Sequence, residues 1–421
     1  MSSEKAIRFL TAHGMDPERV QPVRDAVKMA EEMKRGLAGE PSSLPMIPTY
    51  LSDSGRIPQK TPVAVIDAGG TNFRCALLRF GDEGAELLSL KKWKMPGIGK
   101  AATWEEFIRF TADAVEPLLD QTDKIGFCFS YSADITPEID GRVHRIDKEV
   151  VIQGCEGQLV GASLVAELER RGRKGVKVAI LNDTVAVLLG GLAKGVAQET
   201  SCTVGQVSGT GTNTCCALPV DRISKLGLSG EGRMIVNLES GMYDGIPQGD
   251  FDRELDAESN NPGSKHFEKL TAGVYLGELC RRMLRAAAEE GLLAPETAEK
   301  ARSLGWIDSA VVDAWSCGEK LEEIACCPED AEFVRTVCTA LFNRSARCMC
   351  TNLAAIVLLS GEETASVCAE GSLVQKGRVY RPLLEELIHT EIEEKLGRRV
   401  RFTIGNETTL SGSAAAALLN L

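Results

Sequence analysis

The chain is 421 residues long, 43% hydrophobic and 26% charged, and its 60 acidic against 48 basic side chains leave a formal net charge of -12. That length exceeds one ordinary hydrophobic core and calls for two domains, while the composition is that of a soluble globular protein. The acidic balance, with a pI near 5.1, excludes nucleic acid or an anionic membrane surface as the main partner, because both need a basic footprint.

The N-terminal segment MSSEKAIRFL is too charged for a signal peptide, and no apolar run reaches the length that spans a bilayer. Fourteen cysteines without regular spacing, including the adjacent pairs Cys215-Cys216 and Cys326-Cys327, fit a reducing compartment, so a cytoplasmic protein is expected. Cys348 and Cys350 form the one close CxC; with no CxxC or HxxxH beside it, it reads as buried thiol rather than a metal site.

Residues 22–38 place Val23, Ala26, Val27, Ala30, Met33 and Leu37 at helical spacing, with Gly39 and Pro41 as the stop. This predicts a docking helix. A DNA-binding helix pair would need a second helix and a basic face, and neither is read before Val63. The proline-bearing stretch 42–60 is an irregular connector.

Residues 63–80 organise the rest of the chain. Val63, Val65 and Ile66 predict a buried strand delivering Asp67 to its end; Gly69 and Gly70 turn the chain, Thr71 and Asn72 add short polar groups, and Cys75 to Leu78 returns as a second strand. Such a turn can hold a phosphate through backbone N–H groups, although a Gly-Gly-Thr between strands is more often a plain tight turn. The sequence has no GxxxxGK[ST], and a strand-turn-strand does not fit the Rossmann fingerprint.

A polar β stretch comes next, then a predicted helix over 104–119 and a strand over 125–129 that ends at Ser130. The segment 141–143 suggests a turn into another strand, 159–170 is helical in period, and the strand 177–181 ends on Asn182 and Asp183. The pattern then restarts: a strand over 202–207, a turn of Gly209, Thr210, Gly211, Thr212 and Asn213, and a return over 215–220. Two copies of one device predict two similarly built halves facing one nucleotide, with Asp183 between them at a strand end. From Lys265 onward the chain reads as mostly helical, with helices over 265–290, 295–304, 329–359, 381–396 and 410–421, and Pro295 in a first helical position.

Phosphoryl transfer to an alcohol asks a protein for positioning, charge neutralisation and a carboxylate to take the hydroxyl proton. Asp183 is the candidate base and Asp67 the candidate for the water shell of Mg²⁺, while both glycine turns, with the Thr71 and Thr210 hydroxyls, hold phosphates. Asn182, Asn213, Glu239 and Glu268 offer the amides and acceptors that a polyol needs. Each also has a plainer reading. Asn182 and Asp183 equally suit a helix cap, Glu239 beside Gly241 a turn cap, and Glu268 an ion pair with Lys265 or Lys269 on a helix face.

Taken together, EMKRGL, LPMIPTYL, VIDAGGTNFR, FSYS, LNDTVAVLLGG, GTGTNTC, VNLESG, NPGSKHFEKLTAGVYLGEL, AEGSL and LSGSAAAALL resemble the hexokinase and glucokinase family from about Val23 to the C-terminus. The resemblance implies an α/β protein with the two-domain actin-like (ribonuclease H-like) duplicated fold, mixed β-sheets flanked by helices and a ligand cleft between domains. It divides the chain into an N-terminal helix and connector (1–60) packing on the large domain, a small domain (61–182, completed by a helix at 408–421) and a large domain (183–407). The implied reaction moves the γ-phosphoryl group of ATP, with Mg²⁺, to the 6-hydroxyl of a hexose, glucose foremost. The other readings are a kinase for an amino sugar or ketohexose, a non-catalytic sugar-binding regulator, and an ATPase or filament-type member of the same fold. Partners are then a hexose and MgATP, without nucleic acid or membrane, in a monomer or homodimer.

Position by position, the resemblance puts Asp183 on the catalytic base and Lys148 on a lysine that contacts the sugar and neutralises the transferred phosphate. Ser130, Asn182, Asn213, Glu239 and Glu268 fall on sugar ligands. Asp67, Gly69, Gly70, Thr71, Asn72, Arg74, Gly209, Thr210 and Gly211 fall in the two phosphate segments, and Gly371 and Ser372 in the adenosine segment. Where the family reads Ser-Phe-Pro and then Thr-Lys-Gly-Phe, this chain has Ser130-Tyr131-Ser132 and Asp147-Lys148-Glu149-Val150. Val274 and Gln375 stand where animal relatives commonly carry lysine. The departures bear on which hexose and which phosphoryl donor are used rather than on reaction type.

Overall fold

The computed structural model describes residues 2–146, 150–195, 200 and 202–421. Two mixed sheets form its frame. In the five-stranded sheet the spatial order is Lys177–Leu181, Lys124–Phe129, Val63–Gly69, Asn72–Gly81, Gly84–Lys94. In the six-stranded sheet it is Ile47–Pro48, Arg233–Asn237, Thr212–Pro219, Cys202–Ser208, Thr364–Glu370, Arg399–Ile404.

The duplication expected from the two glycine turns is visible in the strand directions. Val63–Gly69 and the two strands after it are antiparallel neighbours, and Lys124–Phe129 and Lys177–Leu181 add in parallel. Cys202–Ser208 repeats the scheme, with two antiparallel strands on one side and Thr364–Glu370 and Arg399–Ile404 in parallel on the other. Among the described strands of these two sheets, the short edge strand Ile47–Pro48, donated by the connector, is the one without a counterpart.

Two helices lie between the sheets, Asp183–Ala193 and the C-terminal Thr408–Asn420. Their Val185, Leu188, Ala414 and Ala417 share one core with Val65 and Cys128 of the smaller sheet and Cys215 and Ile235 of the larger. The helices meet backbone to backbone: a Cβ on Gly412 would lie 1.8 Å from the Ala186 carbonyl oxygen, and one on Gly190 2.5 Å from that of Thr408. Only small residues permit this approach, which accounts for the Gly/Ser/Ala-rich C-terminus.

The helix Pro22–Ala38 forms as its spacing predicts, stopped by Gly39 at φ 75°. It buries Ala26, Met29 and Met33 in the core of the larger half, alongside Phe342 and Met349 of the long helix Pro328–Ser360. A second helix does precede Val63, contrary to expectation: Ser2–Ala12, whose Ala6, Phe9 and Leu10 join the same core. Its apolar face is used for packing.

Three further expectations are corrected. The helix read over 265–290 is two, His266–Thr271 and Gly273–Glu289, broken at the extended Ala272. The segment 104–119 ends its α-helix at Val115 and tightens into Glu116–Leu118, as Pro117 requires. The last third also contains the strands Thr364–Glu370 and Arg399–Ile404. Ala365 to Ala369 is buried throughout, so it lacks the two-residue alternation that betrays a half-exposed strand.

Candidate active site

Strand pairing sets the first turn. Asp67 and Arg74 are cross-strand partners, and the guanidinium grips one carboxylate oxygen, Oδ2, from Nε at 2.7 Å and from Nη2 at 2.5 Å. Burial pushes the Asp67 carboxyl above its usual range; Arg74 opposes the shift, and the charge of Asp183 adds to it. Ser130 reaches the same turn from the neighbouring strand, donating its N–H to the Ala68 carbonyl at 3.1 Å. Thr71 and Asn72 are exposed at the tip.

Asn182 is the N-cap of the helix between the sheets and Asp183 its first residue, so the capping reading holds for Asn182. Thr184 N–H donates to Asn182 Oδ1 at 2.9 Å and to Asp183 Oδ1 at 2.7 Å. Asp183 is the first residue of the helix packed between the two sheets, and the carbonyl of the next residue, Thr184, accepts from the Cys215 thiol of the larger sheet at 3.2 Å.

Among the polyol candidates, Asn213 and Glu239 are joined by hydrogen bonds, with Glu268 near them. Asn213, which lies on the returning strand rather than in the turn, donates from Nδ2 to Asn237 Oδ1 at 2.8 Å and to Glu239 Oε1 at 3.3 Å. Asn237 donates in turn to Glu239 Oε1 at 2.7 Å. Glu268 lies beside them, 3.4 Å from the Thr212 amide and 3.4 Å from Lys265 Nζ. Lys269 is engaged elsewhere, with Asp256 at 2.6 Å, so Lys265 is the Glu268 partner. The Glu239 side chain makes no turn-capping hydrogen bond.

Glu239 and Lys265 both sit in the left-handed region, at φ 53° and 56°, a strained backbone that the surrounding contacts must hold. Burial raises the Glu239 carboxyl; the Asn237 amide and Lys265 lower it, and Asp183 and Glu268 raise it further. Asn237 is the member that sequence reading missed. The sequence carried no periodic signal for it, because the strand ends at Asn237 and Glu239 beyond it takes a left-handed backbone.

The second turn is held to Gly371 and Ser372, the candidate adenosine segment. Gly209 donates to the Gly211 carbonyl at 3.0 Å, closing the turn on itself, and its own carbonyl accepts from Gly273 at 2.7 Å. Gly371 packs against it with φ 117°, where a Cβ would lie 2.4 Å from the Ser208 carbonyl oxygen, so only glycine fits. Thr210 and Ser372 are exposed at this edge. Val274 is exposed too, and Gln375 donates to the Gly405 carbonyl at 2.8 Å. Asp147 and Lys148 lie outside the described residues.

No cluster of three His, Cys, Asp or Glu side chains able to hold a metal exists among the described residues. The donor set suits Mg²⁺ all the same, because that ion keeps its waters and needs only one or two carboxylates plus phosphate oxygens. Arg74 engages Asp67 Oδ2 and the Cys128 thiol also reaches the carboxylate, while the mutual repulsion of Asp67 and Asp183 is what a cation would relieve.

One hexokinase family model matches residues 203–419 and another matches residues 6–192. The chain belongs to the hexokinase family. Its relatives include hexokinase-1 of Schizosaccharomyces pombe, 27% identical over 401 residues that span 89% of this chain and 82% of that one. The chloroplastic hexokinase-2 of Nicotiana tabacum is 30% identical over 430 residues, 93% of this chain and 85% of that one. Among solved structures, the hexokinase from Schistosoma mansoni complexed with glucose superposes with a TM-score of 0.74 at 23% identity, over 99% of this chain and 98% of that one. A second hexokinase crystal structure gives 0.81 at 22% identity, over 99% of each chain. What these structures share with this chain is the two-domain α/β fold. As a hexokinase, the chain is an ATP-dependent hexose phosphotransferase. Among its described residues no helix is long and apolar enough to cross a membrane.

Proposed function

We propose that this hexokinase phosphorylates the 6-hydroxyl of glucose from MgATP, with Asp183 as the general base. The observation that carries this reading is the position of Asp183, which follows the strand Lys177–Leu181 and opens the helix packed between the two sheets. A hydroxyl held by Asn182, Asn213, Glu239, Glu268 and Ser130 would have its proton taken by the carboxylate while the turns hold the nucleotide phosphates. Gly209 uses its amide within its own turn, so at the second turn phosphate contact falls to the Thr210 and Gly211 amides and the Thr210 hydroxyl. Gly69, Gly70, Thr71 and Asn72 serve the first turn, Gly371 and Ser372 flank the adenosine, and Lys148 neutralises the transferred group. Asp67, through water, would hold Mg²⁺, and that ion when bound would add charge neutralisation on the phosphates.

The division into a small domain (61–182 with 408–421) and a large one (183–407 with 1–60) gives the cleft two walls that close on the sugar and exclude water. The free cysteines support a reducing, cytoplasmic setting. Asp147, where the family has threonine, favours a second reading in which the acceptor carries an amino group, since a carboxylate would pair with it. Product analysis over a panel of glucose, glucosamine, mannose and fructose tests both. Glucose 6-phosphate as the fastest product supports the first reading. A tenfold or greater preference for glucosamine in kcat/KM would replace it with the second.

A further inference from the structure

We propose that the Tyr131 hydroxyl fixes the orientation of the first phosphate turn and thereby sets nucleotide affinity; this rests on the reading of the turn at residues 69–71 as a phosphate site. The strand Lys124–Phe129 runs parallel beside Val63–Gly69, and its continuation carries Ser130 and Tyr131 past the turn. The Tyr131 ring is buried and packs edge-on against Phe129, with centroids 5.2 Å apart. Its hydroxyl donates to the Gly70 carbonyl at 3.1 Å.

The C=O and N–H of one trans peptide plane point in opposite directions, so fixing the Gly70 carbonyl also fixes the Thr71 N–H, aimed away from Tyr131. The neighbouring peptides are held by backbone: Ala68 C=O accepts from Ser130 at 3.1 Å, and Thr71 C=O accepts from Met95 at 3.0 Å. Gly70 itself, at φ 58°, is a residue that crosses between positive and negative φ at little cost. A side-chain hydroxyl therefore holds the one soft link of the turn. Phenylalanine, which the family resemblance puts at this place, would fill the same space against Phe129 without donating to Gly70. A donor already in position binds an anion without reorganisation, and that is how Tyr131 acts on affinity as a positioning residue.

Tyr131→Phe tests this, with kinetics for MgATP and glucose and calorimetric binding of MgADP. The expected result is a rise of about three- to tenfold in the KM for MgATP and the Kd for MgADP, the worth of about one hydrogen bond, with the glucose KM within about twofold of wild type. Glucose and nucleotide constants rising together would make Tyr131 a general packing residue. Unchanged nucleotide constants, or a rise confined to glucose, would remove it from nucleotide binding. Each of these outcomes overturns the proposal. A wild-type protein that itself fails to bind MgADP would instead overturn the phosphate reading beneath it.

Discussion

Glu239 is the residue whose titration should report on the sugar site. Burial holds its carboxyl above the usual range. A native pKa above the unfolded one means that the folded protein binds more protons, so Glu239 costs stability once pH rises through its native pKa and costs nothing below the ordinary carboxylate range. Glu239→Gln keeps an oxygen for the Asn213 and Asn237 amides. It should raise the thermal midpoint at neutral pH, with the gain vanishing as pH falls below about 4, as a pH series of unfolding scans would show. The same change should weaken glucose binding about ten- to a hundredfold, the worth of a hydrogen bond to a charged acceptor. In the wild type a sugar hydroxyl donating to Glu239 favours the ionised form, so affinity should fall with decreasing pH through the raised pKa. Calorimetry in buffers of different ionisation enthalpy would detect the proton released on binding. An affinity flat across that range would remove Glu239 from the sugar. Asp67, Asp183 and Asn213 could be singled out as candidates because each lies beside a glycine turn or at a strand end, where an α/β chain presents its side chains. Asn237 could not, since a strand asparagine says nothing until its amide is seen bridging Asn213 and Glu239.

At the scale of elements, the helices Asp183–Ala193 and Thr408–Asn420 join the halves through the closest backbone contacts in their core. Gly412→Ala puts a methyl where the Ala186 carbonyl now is. It should cost about 1–3 kcal/mol and lower the thermal midpoint, as overpacking does. Gly305→Ala, where a Cβ meets nothing within 4 Å, is the control and should stay within about 0.5 kcal/mol. Equal midpoints for the two variants would mean that the helices can part at no cost. The paired turn hairpins and the first docking helix were readable because strand, turn and return are local and the helix has a one-sided apolar stripe. The strands Thr364–Glu370 and Arg399–Ile404 were not, because parallel partners lie far off in sequence and a doubly covered strand shows no alternation.

For the molecule as a whole, fourteen free cysteines divide sharply by burial: Cys317 and Cys326 are exposed, Cys327 is half-buried and the other eleven are buried. Burial pushes the Cys75 and Cys348 thiols up to about 12 and Cys368 to about 11, which adds chemical inertness to inaccessibility. A thiol reagent at neutral pH should titrate about three groups in the native protein and all fourteen after denaturation, and reducing agent should not shift the thermal midpoint. Fast reaction of more than that number would mean that the cores open readily. On the proposed function a single carboxylate, Asp183, standing between the two halves couples sugar to nucleotide. This is tested most directly by ADP release from MgATP with and without glucose, comparing wild type with Asp183→Ala. The expected result is glucose-dependent turnover that falls by about 10²–10⁴-fold in the variant while glucose still binds. Near-normal kcat in Asp183→Ala, or ADP release indifferent to any sugar, would contradict it.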